Sequence, residues 1–159
     1  MAKLLFIINP RAGVQKISKP LLDIIQIFCQ AGFLPTILTT QKQNDATEFV
    51  LKYAAETDLI VCAGGDGTLN EVIAGLKASG LDIPLGYLPA GSTNDFASSL
   101  NLPTDLLAAA EEIVQGQVRH FDLGKFNERY FSYVACCGAF AKTSYSTPQN
   151  VKNILGHLA

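Results

Sequence analysis

The sequence contains no stretch approaching the ~20 consecutive apolar residues that a membrane-spanning helix needs. Any dealings with a bilayer must therefore take place at its surface. It also contains no long run of one charge, and its net charge is −2. A protein whose main partner is nucleic acid ordinarily displays a basic stripe, so no nucleic-acid partner is expected. The four cysteines, Cys29, Cys62, Cys136 and Cys137, match no C-x-x-C spacing, which excludes the usual zinc and dithiol redox motifs. Cys136 and Cys137 are adjacent, which does not suit ordinary disulfide geometry. All four read as buried, reduced thiols of a cytosolic protein. No internal repeat or low-complexity tract interrupts the chain.

Two nucleotide-binding signatures are missing as well. There is no G-x-G-x-x-G at a strand-to-helix turn, and no lysine-bearing G-x-x-x-x-G-K-[ST]. A dehydrogenase would also need a ribose-reading acid at the end of its second strand, and Thr39-Thr40-Gln41 offers none.

What is present is ample core material, with 48% hydrophobic residues in a chain of 159. Leu4–Ile8 is a continuous apolar run ended by Asn9-Pro10-Arg11. It is too short for a signal-peptide core and reads as a strand buried on both faces. Ile17, Leu21, Ile24, Ile25 and Phe28 follow at helical spacing, and Gly32 closes that helix. Thr36–Thr40 is a short β-branched run. A second helical stripe, Ala46, Phe49, Val50, Tyr53 and Ala54, is entered through Asn44 or Asp45. Asp58–Ala63 and Pro84–Leu88 read as further strands. Helices follow through Leu69, Val72, Ile73 and Leu76, and beyond Thr104 through Leu106, Ala110 and Ile113. Such alternation predicts an α/β fold: a mostly parallel sheet with helices on both faces.

The pattern changes near Gln117. Val118–Phe126 and Arg129–Ala135 read as strands around Asn127-Glu128, a hairpin signal. Thr147-Pro148 then opens a helical segment that reaches Ala159 without a C-terminal cap. The expected organisation is an α/β domain over residues 1–125 and the start of a second, β-rich domain over residues 126–159. Apolar surface left near the C-terminus would favour association, so pairing with a second copy is left open.

Three loops at strand ends carry the chemistry. Gly64-Gly65-Asp66-Gly67-Thr68 leaves a buried strand and opens a helix, where free N–H groups and a positive dipole end favour a phosphate. Asp66 sets a carboxylate beside that anion site, which makes sense if magnesium or its water intervenes. Asn9-Pro10-Arg11-Ala12-Gly13 and Pro89-Ala90-Gly91-Ser92-Thr93-Asn94-Asp95 are the other two. Arg11, Lys16 and Lys19 could meet phosphate charge or could simply be solvated. Structural readings stand beside these: Thr68-x-x-Glu71 has the form of a capping box, and Ser92-x-x-Asp95 a similar cap.

Taken together, Asn9-Pro10-x-x-Gly13, Gly64-Gly65-Asp66-Gly67-Thr68-Leu69-Asn70-Glu71-Val72 and Gly91-Ser92-x-Asn94-Asp95-Phe96 resemble the signature of the diacylglycerol kinase catalytic domain family. The likeness continues through Asp122-Leu123-Gly124, Arg129-Tyr130-Phe131 and Ser144-Tyr145-x-Thr147-Pro148, and is strongest to the soluble bacterial branch. It implies a phosphofructokinase-like or NAD kinase-like nucleotide-binding domain, ATP and Mg2+ as co-substrate and cofactor, and a lipid acceptor taken from the membrane surface. The protein would be cytoplasmic or peripheral at the membrane. By motif, Asn9, Pro10, Arg11, Ala12, Gly13, Thr40, Gly64, Gly65, Asp66, Gly67, Thr68, Leu69, Asn70, Glu71 and Ser92 would hold the nucleotide. Asp66, Asp95 and Asp122 match acidic positions used around magnesium and its waters. The family's catalytic base is expected beyond Ala159. His120 and His157 match no family role. An NAD kinase-like enzyme, a more distant phosphofructokinase, and a non-catalytic nucleotide-binding or association module are the alternatives. The Leu69-Asn70-Glu71 continuation and Gly-Ser-x-Asn-Asp favour the lipid branch.

Overall fold

A computed structural model of the chain describes residues 1–14, 16–127 and 129–132. The expected continuation of the last strand to Ala135, the helix opened by Thr147-Pro148, and Cys136, Cys137 and His157 lie outside those residues.

The apolar runs become parallel strands: β1 (Ala2–Ile8), β2 (Phe33–Thr39), β3 (Leu59–Gly64) and β4 (Leu85–Pro89). Between and after them run α1 (Leu21–Gln30), α2 (Asp45–Tyr53), α3 (Asp66–Ser79), the short α4 (Asp95–Ser99) and α5 (Leu106–Gln115). The sheet order is β2-β1-β3-β4, all parallel. Alternate residues of the central strands serve opposite faces. Leu4, Phe6 and Ile8 join Val61, Ala63 and Leu88 beneath α1 and α5. Leu5 and Ile7 join Ile60, Cys62 and Tyr87 beneath α2, α3 and Ala97 of α4. Continuous apolarity in β1 and β3 thus follows from two covered faces, as expected of a parallel sheet. β2 is an edge strand and is more open, with Leu34 and Ile37 exposed.

Several boundaries differ from the pattern. Ile17 lies in the turns before α1, although its side chain is buried in the core beneath that helix. Pro20 stands at the α1 N-cap and disfavours helix in the residue before it. Asp105 caps α5: its Oδ1 accepts from the N–H groups of Leu107 and Ala108 at 3.0 and 2.9 Å. The hairpin forms as β5 (Gly124–Phe126) and β6 (Arg129–Phe131), antiparallel, with Asn127 at φ 53° as the turn requires. Residues 118–122 are exposed and carry no strand. They find no ladder partner among the described residues, so β5 starts six residues later than the expected Val118.

β1 leads through α1 to β2 on one side, while β3 lies on its other side. The chain therefore diverges at the carboxyl ends of β1 and β3. That crevice is where open α/β sheets bind ligands.

Candidate nucleotide site

The three glycine-bearing loops meet at that crevice. Asn9 leaves β1 with its N–H on the Ala63 carbonyl oxygen at 2.8 Å. Its Oδ1 accepts from the Arg11 N–H at 3.0 Å and shapes its own turn, while Nδ2 donates to Thr68 Oγ1 at 3.1 Å. Gly13 takes a left-handed conformation, φ 50°, and a Cβ there would collide with the Ala90 carbonyl oxygen. The first loop is thereby keyed to both others.

The second loop begins α3 at Gly65, and no side chain caps that helix. Thr68 sits inside α3 and receives Asn9, so the expected Thr68–Glu71 capping box does not form. Glu71 instead turns to α2: its Oε2 accepts from the Ala46 N–H at 3.4 Å, and its carbonyl oxygen from Thr47 Oγ1 at 2.8 Å. Leu69 is buried in the core. Asn70 Oδ1 accepts from Ser132 Oγ, just beyond β6, at 3.0 Å. The side chains of Leu69, Asn70 and Glu71 thus tie α3 to the core, to the hairpin and to α2.

Asp66 does something the sequence does not announce. Its Oδ2 accepts from the Asp95 N–H at 3.0 Å and its Oδ1 from the Phe96 N–H at 3.1 Å. One carboxylate at the start of α3 therefore caps α4 in place of the expected Ser92. The N-cap position of α4 is Asn94, in the left-handed region. The second and third loops also touch directly. Gly65 and Gly91 pack Cα against Cα so closely that a Cβ on Gly91 would run into Gly65. The Gly64 carbonyl oxygen accepts from the N–H groups of Ala90 and Gly91 at 3.0 and 3.1 Å.

Thr40 continues β2 onto the same edge, is buried, and donates its N–H to the Ile8 carbonyl oxygen at 2.9 Å. The turn after it is shaped by buried Asp45, whose Oδ2 accepts from the N–H groups of Gln41 and Lys42 at 2.7 and 2.9 Å. Those bonds, Gln41 first, hold the Asp45 carboxyl below its usual range. Ala12 is buried, Pro10 half-buried, and Arg11 and Ser92 exposed. Lys16 Nζ donates to the Thr104 carbonyl oxygen at 3.2 Å, in front of α5. The Cys62 thiol lies under the site, and burial, with the Glu71 charge next, pushes its pKa up, which makes it an inert core group.

Asp66 and Asp95 are neighbours through the 3.0 Å bond, whereas Asp122 lies on the exposed segment before β5. Among the described residues no three His, Cys, Asp or Glu side chains gather to hold a metal ion. No helix among them is long and apolar enough to cross a membrane.

The model of the diacylglycerol kinase catalytic domain matches residues 3–126. The chain belongs to that family. Diacylglycerol kinase of Staphylococcus saprophyticus is 39% identical over 154 residues, covering 96% of this chain and 50% of that protein. Diacylglycerol kinase of Bacillus subtilis is 39% identical over 161 residues, covering 100% of this chain and 53% of that one. A crystal structure of a diacylglycerol kinase from Bacillus anthracis superposes with a TM-score of 0.75 at 35% identity, over 82% of this chain and 45% of that chain. The chain spans about half the length of the curated relatives it matches.

Proposed function

We propose that this chain is the nucleotide-binding half of an ATP-dependent lipid kinase, which transfers the γ-phosphoryl group to a lipid hydroxyl such as that of diacylglycerol. The observation that carries this reading is Gly67. It lies exposed in the first turn of α3, has no left-handed backbone, and a Cβ added to it would meet nothing within 4 Å. The protein itself has no use for a glycine there. A ligand whose phosphates approach the helix N-terminus does, because only a bare backbone lets them come close.

In this reading Asn9–Gly13, Thr40, Gly64–Glu71 and Ser92 form the nucleotide site, with Leu69, Asn70 and Glu71 contributing through the placement of α3. Magnesium normally keeps several waters and is held by one or two carboxylates together with phosphates. The Asp66 carboxylate on the Asp95 N–H at 3.0 Å sets two acids at one loop junction, the number that such an ion takes from protein. Asp66 and Asp95 would hold it, with Asp122 acting through water, and each Asp66 oxygen keeps a further lone pair for the purpose. Bound there, magnesium would neutralise charge on the phosphates. Enzymatic help in phosphoryl transfer is mainly positioning and charge neutralisation, and this half supplies the positioning. The general base, and the remainder of the β-rich domain expected to begin near residue 126, are assigned to parts of the enzyme outside these 159 residues. The acceptor lipid would come from the membrane surface.

Calorimetric titration of ATP, with and without magnesium, into wild-type and Gly67→Ala chains tests the proposal. The variant should melt at or slightly above wild type, since alanine is favoured over glycine in a helix by up to about 1 kcal/mol. Its ATP affinity should fall by about 10-fold or more, as a methyl group displaces a phosphate contact. Equal affinity in the two folded chains would remove the main support for the cradle. A folded wild-type chain that binds no ATP would favour a non-catalytic association module.

A further inference from the structure

We propose that Asn94, assisted by the Tyr87 hydroxyl, is the positioning residue that sets the shape of the Pro89–Asn94 loop and so aims Ser92 at the nucleotide; this rests on the nucleotide reading above. The Asn94 amide reaches four protein groups. Its Oδ1 accepts from the Gly91 N–H at 2.8 Å and lies 3.3 Å from the Tyr87 hydroxyl. Its Nδ2 donates to the carbonyl oxygens of Pro89 and Gly91 at 3.1 and 3.0 Å. An amide can accept twice and donate twice, so three of its four places are taken within the loop itself and the fourth faces Tyr87 of β4. Its backbone sits at φ 53°, ψ 51°, a left-handed conformation that asparagine tolerates better than other residues with a Cβ. One residue thus supplies both the bend and the internal template.

Tyr87 couples that template to the floor of the site. Its hydroxyl stands 3.2 Å from the Gly64 carbonyl oxygen, and its single proton can serve Gly64 or Asn94. Burial, with the Asp66 charge next, pushes the phenol above its ordinary pKa, so it remains a neutral donor. Phe96 packs on the Tyr87 ring with centroids 6.3 Å apart and closes the far side of the turn. Ser92 is exposed on the crest of this loop, between Gly91 and Asn94.

The test has two independent readouts. In the nucleotide-free chain the Gly91 amide hydrogen is shared between Asn94 Oδ1 and the Gly64 carbonyl oxygen, and its exchange should quicken by about 3-fold in Asn94→Gly, which keeps the left-handed bend and removes the shorter of the two bonds. ATP affinity of the same folded variant should fall by about 10-fold. Acting through Ser92 means that Ser92→Ala added to Asn94→Gly should cost little more, whereas independent sites would multiply their losses. A residue that only stabilises the fold would lower the melting temperature without this coupling. Tyr87→Phe, a milder change, should lower ATP affinity by about 2- to 3-fold and serves if Asn94→Gly does not fold. Unchanged Gly91 exchange, or multiplicative losses with Ser92→Ala, would overturn the proposal. If exchange quickens but even the wild-type chain binds no ATP, the nucleotide reading fails and Asn94 is reduced to an architectural residue, which overturns the positioning claim too.

Discussion

Replacing Asp66 should destabilise the protein before any ligand is considered. Its half-buried carboxylate satisfies the first two N–H groups of α4, at 3.0 and 3.1 Å. Removing a capping acceptor costs about 0.5–2 kcal/mol, and a bond to a charged acceptor lies toward the upper end. Asp66→Ala strands both donors, so a loss of about 2 kcal/mol is expected. Asp66→Asn keeps one acceptor oxygen and should lose about half as much. For a domain of this size, about 2 kcal/mol corresponds to a fall in Tm of about 6–8 °C. Circular-dichroism melts of the three chains, in chelator and without nucleotide, isolate this effect from any metal role. The drop should be the same size when magnesium is added to the ligand-free chains. A Tm for Asp66→Ala within about 1 °C of wild type would refute the reasoning, and would confine Asp66 to ligand chemistry.

Gly91→Ala places a methyl against Gly65 Cα and 2.6 Å from Asn94 Oδ1. Overpacking of this kind costs about 1–3 kcal/mol; denaturant unfolding should show it, together with weakened ATP binding. Asp45 has its pKa lowered by the Gln41 and Lys42 N–H groups. A depressed folded-state pKa contributes stability that is present above the ordinary carboxylate value and lost as pH falls through the folded one. Wild type should therefore lose stability below about pH 4, and urea midpoints across that range should show a shallower loss in Asp45→Asn. Cys62 is buried as expected, but Cys29 is exposed, because α1 turns Ile24 and Phe28 rather than Cys29 to the core. A thiol reagent should label Cys29 at once and Cys62 only on unfolding; rapid labelling of Cys62 in the folded chain would contradict the packing of β3.

The strands that could be read from sequence are those covered on both faces. Leu4–Ile8 and Leu59–Ala63 need no partner information, because a continuous apolar run in a helix-alternating chain has one comfortable place to go. β2 was only partly legible, since an edge strand need not be apolar throughout, and its Phe33–Pro35 start carries no β-branched residue. The candidate site shows in the sequence as motifs and not as contacts. Glycines after a strand signal a phosphate turn, but Asp66 caps a helix 29 residues away and Asn9 reaches Thr68 across 59. No spacing rule covers such pairs. Thr68-x-x-Glu71 shows the hazard: its local pattern satisfies the capping-box rule, yet each side chain found a better partner on another element. Ile17 has the right periodicity for α1, but Pro20 places it outside the helix while leaving it in the core.

The interlocking of the loops has a consequence for anyone wishing to redesign this protein. Gly13 lies on Ala90, Gly65 on Gly91, and the Asp66 carboxylate reaches into the start of α4. None of these surfaces has room to accommodate a foreign neighbour. A loop borrowed from a relative would meet the wrong shape on both sides, however suitable its own chemistry. Exchange of specificity between relatives should therefore succeed only when all three loops travel together, carried by the carboxyl ends of β1, β3 and β4 as one transplantable part.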